Sequence, residues 1–207
     1  MVVTLSDIGK RFNRDWIFRH VHYTFSSGNS YAITGPNGSG KSTLLQAIAG
    51  SLHLSDGKLA YNNEQDSKPV DPEKLYQYIS IAAPYLELIE EMTGREFLHF
   101  HQQFKSLLSS VTVEEILTEI GLEKAIDKQI RFFSSGMKQR LKLAQAVFSD
   151  VPVLLLDEPC TNLDKPGYEL YHSLISKYCL SKLIIVSSND AMEMDFCTNR
   201  LNILDYK

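Results

Sequence analysis

The chain has 207 residues and a formal net charge of −4, with 43% hydrophobic and 22% charged residues. That length suits one compact domain able to bury a core, and the composition excludes the low hydrophobicity and charge excess of a disordered chain. The acidic balance argues against a general nucleic-acid binder, which carries a basic footprint, so no nucleic-acid partner is expected.

The opening residues Met1 to Asp7 lack the basic start, apolar stretch and small-residue cleavage site of a secretory signal. No apolar run approaches the roughly 18 residues of a membrane span, so direct membrane insertion is not expected. Cys160, Cys179 and Cys197 are odd in number and lack CxxC spacing, which points to a reducing cytosol rather than a disulfide framework or zinc site. The chain shows no internal repeat, low-complexity tract or linker.

Short apolar runs alternate with amphipathic stretches, the pattern of an α/β domain. Tyr31 to Thr34 reads as a buried strand ending at a glycine-rich turn. A helix follows from about Lys41, with Leu44, Leu45, Ile48 and Ala49 on its apolar side. Lys58 to Tyr61 and Tyr78 to Ala82 read as strands around a polar, proline-containing loop from Glu64 to Pro72. From about 93 to 148 a helical period takes over: Phe97, Phe100, His101 and Phe104 follow one spacing, and Ile116, Leu117 and Ile120 recur likewise. This stretch is expected to form a helical lobe inserted into the sheet domain. Val153 to Leu156 and Leu183 to Val186 are apolar at every position, which suits central strands of a parallel sheet covered on both faces.

Chemistry concentrates at three places. Gly35-Pro36-Asn37-Gly38-Ser39-Gly40-Lys41-Ser42 matches GxxxxGK[ST] without a mismatch, and Thr43 follows. Glycines let successive N–H groups converge on a phosphate while the next helix presents its positive end. In such a loop Lys41 reaches the β and γ phosphates and the Ser42 hydroxyl joins a magnesium shell. Val153 to Leu156 then delivers Asp157 and Glu158 to the end of a buried strand, where open α/β sheets bind ligands. Asp157 is placed to hold magnesium, and Glu158 to orient or deprotonate an attacking water. Third, Phe133-Ser134-Ser135-Gly136-Met137 precedes an amphipathic helix with Met137, Leu141, Ala144, Val147 and Phe148 on its apolar side. Alone, Ser134 or Ser135 is a helix cap.

Read with the two motifs before it, Ser134-Ser135-Gly136-Met137 resembles the signature of ATP-binding cassette (ABC) proteins, and Thr161-Asn162-Leu163-Asp164 resembles their D-loop. The resemblance spans most of the chain. It implies a P-loop NTPase of the ABC ATPase type over 1–207, with a mostly parallel central sheet, an N-terminal antiparallel β part and an inserted helical lobe. It also implies ATP and Mg2+ as cofactors. In that family two subunits sandwich two ATP molecules head to tail, so a second copy or a homologous ABC subunit is an expected partner. Ser134, Ser135 and Gly136 would then face the other subunit's cradle, with Ser134 and Gly136 on the γ-phosphate, and Asp164 would help link the two sites. The family stacks adenine on an aromatic near the N-terminus. Phe12 falls at the matching distance before Lys41, and Trp16 is its rival.

Two residues depart from the family pattern. Pro84 stands where a magnesium-contacting glutamine is usual, and a water can take that place. Gln77 lies on the wrong side of a strand to replace it. Asn189 stands at the switch-histidine position; asparagine donates a hydrogen bond but carries no imidazole charge and shuttles no proton. ATP binding is expected to survive, with slow or partner-dependent turnover.

Other features read as structural. Glu87, Glu90 and Glu91 suggest a solvated face, or alternatively a surface meeting a membrane partner. Lys138, Arg140 and Lys142 are expected on the wet side of their helix. His99 and His101 have poor ligand spacing, and Cys160 reads as a packing residue. Among functions, the resemblance favours a transporter ATPase, cytoplasmic and peripheral on the membrane through a separate transmembrane permease subunit. The short chain resembles minimal exporter subunits, including those of haem or cytochrome maturation. A non-transport ABC ATPase of the iron–sulfur-assembly type and a slow-turnover regulatory module are the alternatives.

Overall fold

The computed structural model describes residues 1–63 and 69–207. Of the loop expected from Glu64 to Pro72, positions 64–68 lie outside the described residues. The elements run β1 (Val2–Phe12), β2 (Asp15–Ser26), β3 (Ser30–Thr34), α1 (Lys41–Ile48), β4 (Asp56–Asn62), β5 (Ile79–Ala82), α2 (Gly94–Gln102), α3 (Val113–Glu119), α4 (Ser135–Val147), β6 (Val153–Asp157), α5 (Lys165–Tyr178), β7 (Leu183–Ser187) and β8 (Asn199–Asn202). They build two sheets. One is antiparallel, ordered β2-β1-β4, and the other has five strands ordered β5-β6-β7-β3-β8. Every pairing in the second sheet is parallel. None of the helices among the described residues is long and apolar enough to cross a membrane.

The unbroken apolar runs of β6 and β7 have a simple cause: each face of the parallel sheet is covered by a different core. Leu154, Leu156, Ile184 and Val186 pack with Leu98, Ile116, Leu117 and Leu141 on the helical side. Val153, Leu155, Leu183 and Ile185 pack with Leu44, Leu45, Val3 and Phe25 on the side of α1 and the antiparallel sheet. Side chains alternate between faces along a strand, so a strand covered twice must be apolar throughout.

Between β5 and β6 the chain runs through α2, α3 and α4, and α2 and α3 each start on a reciprocal cap. In α3, Glu115 N–H donates to Thr112 Oγ1 at 3.2 Å while Thr112 N–H donates to Glu115 Oε2 at 2.7 Å. The Thr112 N–H, and the Thr112 hydroxyl donating to Glu115 Oε2 at 3.0 Å, hold the Glu115 carboxyl below its ordinary range. α3 is only seven residues long, too short to persist on propensity, so its start matters. Thr112→Ala is expected to destabilise the protein by about 1 kcal/mol, read as a lower urea midpoint with an unchanged m-value.

The helical spacing of Phe97, Phe100 and Phe104 does not make one buried face. Phe97 is buried, but Phe100 and Phe104 are 41% and 62% exposed and pack edge to face at 5.1 Å between centroids. α2 stops at Gln102, so Phe104 leaves the helix before its period can bring it inward. His101 is turned inward, its Nε2 2.9 Å from Ser149 Oγ. Burial pulls its pKa down to about 4.

Candidate functional site

Three parallel strands bring the predicted residues to one edge. In the ladder Ile33 lies opposite Ser187, and Ser187 lies opposite Asp157. The glycine loop after β3, the acidic pair after β6 and the Ser188–Asn189 segment after β7 therefore emerge side by side.

The glycine loop follows the shape its composition requires. Gly35, Gly38 and Gly40 all have positive φ, and a Cβ on Gly40 would sit 2.3 Å from Ile17 Cγ2. α1 opens at Lys41, so Ser42 and Thr43 lie in its first turn with their N–H groups free of helical partners. Lys41 is 5% exposed, and its ammonium donates to the Gly35 and Pro36 carbonyls at 2.9 and 3.3 Å. Ser39 is buried, while Pro36, Asn37 and Gly38 are exposed. Lys207, which nothing in the sequence singled out, donates to the Ser39 carbonyl at 2.7 Å and the Ile17 carbonyl at 2.8 Å, bracing the loop against β2.

Asp157 ends β6 and is 2% exposed, and its Oδ1 has no partner among the described residues. A buried carboxylate oxygen demands a counter-charge or donors, so this donor set fits a hydrated divalent cation beside the phosphate loop. Glu158 follows with φ of +42°, its N–H donating to the Ser187 carbonyl at 2.8 Å. Asn189 is exposed, and its amide donates to the Asn37 side chain of the glycine loop. Asn37, Glu158, Ser188 and Asn189 share one hollow of about 330 Å3.

A second hollow of about 380 Å3 is lined by Ser134, Ser135, Gly136, Arg140 and Asp164. Asn162 and Leu163 border both hollows. Ser134 caps α4, its Oγ accepting from Met137 N–H at 3.2 Å. Gly136 approaches the Asn162 carbonyl so closely that a Cβ would stand 3.2 Å from it. Asp164 caps α5 by accepting from Gly167 N–H at 3.1 Å and lies 3.4 Å from Arg140. Within one chain the signature residues thus front a hollow of their own, separate from the glycine loop.

Phe12 and Trp16 face different surroundings. Phe12 is 48% exposed at the tip of the β1–β2 hairpin, with the Lys10 ammonium 4.8 Å from its ring centre. Trp16 is covered by the Arg19 guanidinium at 4.3 Å and lies against Gly9, where a Cβ would come within 3.0 Å of its ring. Phe12 has the more accessible ring.

Pro84 lies two residues past β5, and its carbonyl accepts from Lys142 Nζ at 2.9 Å. Gln77 sits before β5, its amide donating to the Tyr76 hydroxyl at 3.1 Å. The three cations expected on the wet side of α4 are partly exposed, and each has a partner there: Lys138 pairs with Glu90, Arg140 with Asp164 and Lys142 with the loop after β5. Glu87, Glu90 and Glu91 are all exposed, as a solvated face requires, and Glu90 pairs with Lys138 there. Glu87, Glu90, Ile89 and Pro84 line a groove of about 670 Å3 beside Lys138 and Lys142. Cys160 is buried, and burial pushes its thiol pKa up.

A family model described as ABC transporter matches residues 18–161. The chain is 32% identical over 158 residues to the cytochrome c biogenesis ATP-binding export protein CcmA of Xylella fastidiosa (strain 9a5c), covering 76% of this chain and 70% of that protein. It is 28% identical over 174 residues to YybJ, an uncharacterized ABC transporter ATP-binding protein of Bacillus subtilis (strain 168), covering 84% and 78% respectively. A solved structure of a putative ABC transporter ATP-binding protein from Pyrococcus furiosus superposes with a TM-score of 0.82 at 20% identity over the whole of both chains. At that identity the likeness speaks for the fold alone.

Proposed function

The chain belongs to the ABC transporter family, and from that membership we propose that it binds and hydrolyses ATP to energise transport through separate membrane-spanning subunits. The observation that carries this reading is the convergence of the glycine loop, the Asp157–Glu158 pair and the Asn189 segment on one sheet edge. Each supplies a different part of phosphate chemistry. The loop N–H groups and Lys41 bind the triphosphate. Phe12 stacks the adenine, and the Ser42 hydroxyl with Asp157 holds Mg2+, which when bound neutralises charge on the β and γ phosphates. Glu158 orients the attacking water and accepts its proton. Asn189 donates a hydrogen bond toward the γ-phosphate.

The separate signature hollow supports a head-to-tail dimer. Ser134, Ser135 and Gly136, at the free N-terminus of α4, then serve the partner subunit's ATP, while Asn162 to Asp164 lie between the two nucleotides. ATP favours the closed dimer through contacts missing from the open one, and hydrolysis removes them. The cassette sits on the cytoplasmic face of the membrane, with the groove beside Glu87 and Glu90 as its docking surface for a permease. Detergent extraction of native membranes tests this: stoichiometric recovery with a polytopic membrane protein supports transport, and recovery solely with soluble proteins contradicts it.

Slow turnover follows from Pro84, whose side chain offers magnesium no oxygen, and from Asn189, whose side chain can neither carry charge nor move a proton. Asn189→His is expected to raise the hydrolysis rate by at least about tenfold, less than the roughly 10²–10⁴ of a fully placed acid–base group, because it restores a titrating group to the site. An unchanged rate would show that Asn189 does not limit turnover.

A further inference from the structure

Glu193 is a carboxyl group in an unexpected place. It lies in the short turn after Asn189 and is 3% exposed. No lysine, arginine or histidine among the described residues pairs with it. The titratable groups around it are Asp190, Glu158 and the Cys160 thiol, together with the Tyr168 and Tyr171 phenols. Burial first, with smaller contributions from Asp190 and Glu158, holds its pKa above the ordinary glutamate range against the pull of its hydrogen bonds. Burying a carboxyl without a cation is costly unless its oxygens are hydrogen-bonded.

Its hydrogen bonds go to two functional segments. Oε1 accepts from Cys160 N–H at 2.7 Å, two residues beyond Glu158. Oε2 accepts from the Ser188 hydroxyl, immediately before Asn189. Ser188 Oγ accepts in turn from Asp190 N–H at 2.9 Å, and Asp190 Oδ2 accepts from the Tyr168 hydroxyl at 2.8 Å. Tyr171 fixes the Glu193 backbone, donating to its carbonyl at 2.9 Å.

The turn so held is strained. Glu158 has φ of +42°, a left-handed conformation that is unfavourable for glutamate and persists only when neighbours over-determine it, whereas Asn162, at +65°, is a residue type that adopts this region readily. Three neighbours hold the turn: Gln139 of α4 donates to the Pro159 carbonyl at 2.6 Å, the Ser187 carbonyl accepts from Glu158 N–H, and Glu193 accepts from Cys160 N–H. The last two anchors belong to the segment that carries Asn189.

We propose that Glu193 is a positioning residue: its buried carboxyl ties the Glu158 turn to the Asn189 segment, so that the two groups facing the γ-phosphate move as one unit. The proposal rests on the hydrolytic reading above. Loosening the tie misplaces Glu158 relative to its water without removing any contact to ATP. A small displacement of that kind reduces turnover far more than affinity.

The test compares the full wild-type chain with Glu193→Ala and Glu193→Gln by two measurements. In amide hydrogen exchange without nucleotide, Glu193→Ala is expected to speed exchange at Cys160 and Thr161 at least about tenfold, with β6 and β7 unchanged. Glu193→Gln keeps an acceptor for Cys160 N–H and is expected to stay close to wild type. In steady-state hydrolysis, Glu193→Ala is expected to lower kcat at least about tenfold with ATP affinity within about threefold, and Glu193→Gln to recover most of the loss. Should Glu193→Ala fail to fold, Ser188→Ala removes the second hydrogen bond together with the acceptor of Asp190 N–H, leaves the bond to Cys160 N–H in place, and is expected to give the same pattern at smaller amplitude. Unchanged exchange across 158–163, or faster exchange over the whole chain, would overturn the tether. A fall in kcat matched by an equal fall in affinity would overturn the positioning role. A wild-type chain that hydrolyses no ATP contradicts the hydrolytic reading instead, and hydrogen exchange then decides the tether alone.

Discussion

Glu158→Gln is expected to lower kcat for ATP hydrolysis by at least about a hundredfold while ATP still binds, since a positioned general base contributes about 10²–10⁴ in rate. Two features argue for a specific loss. Glu158 lines the hollow shared by Asn37 and Asn189, and glutamine keeps its size and backbone turn while removing proton acceptance. Asp157, next to it, ends in a buried oxygen without a partner among the described residues and is left untouched. Phosphate release gives kcat, and a fluorescent ATP analogue gives the affinity. A variant that turns over ATP at the wild-type rate would remove Glu158 from the mechanism.

Lys41→Ala is expected to weaken ATP binding by at least about tenfold, since a hydrogen bond to a charged group contributes about 1.5–3 kcal/mol. The loss has two sources. The ammonium that meets the β and γ phosphates disappears, and the Gly35 and Pro36 carbonyls lose the donor that gathers them. The fold itself should persist, because Lys41 heads α1 and makes no ion pair among the described residues. Titration with ATP, alongside the circular dichroism spectrum, separates these effects. Native affinity in a folded variant would mean that the loop does not hold the triphosphate.

The glycine loop could be read from residue types alone because its geometry admits few others. Gly40 must leave room for Ile17 and adopt a positive φ, a local demand that shows as a local pattern. Asp157 and Glu158 were visible because β6, covered on both faces, is apolar until it ends. The long hairpin of β1 and β2 was not read residue by residue. Its alternation breaks where Ser6 and Asp7 are both exposed and Ile8 and Gly9 both buried, at an irregular register near Asp7, whose φ is +54°. A bulge of this kind erases the two-residue period. The partners of Lys138, Arg140 and Lys142 were hidden for a different reason: Glu90, Asp164 and the Pro84 carbonyl come from distant segments. Glu193 gave no signal, since an acid between Met192 and Met194 is buried only by the turn at Cys160, far away in sequence.

The most direct test of the account is magnesium-dependent ATP hydrolysis by the purified wild-type chain, measured across protein concentration. A head-to-tail dimer in which each signature completes the partner's site predicts a rate that rises more than linearly with concentration until the dimer is saturated. A rate strictly proportional to concentration throughout, or no hydrolysis with ATP bound, would contradict it.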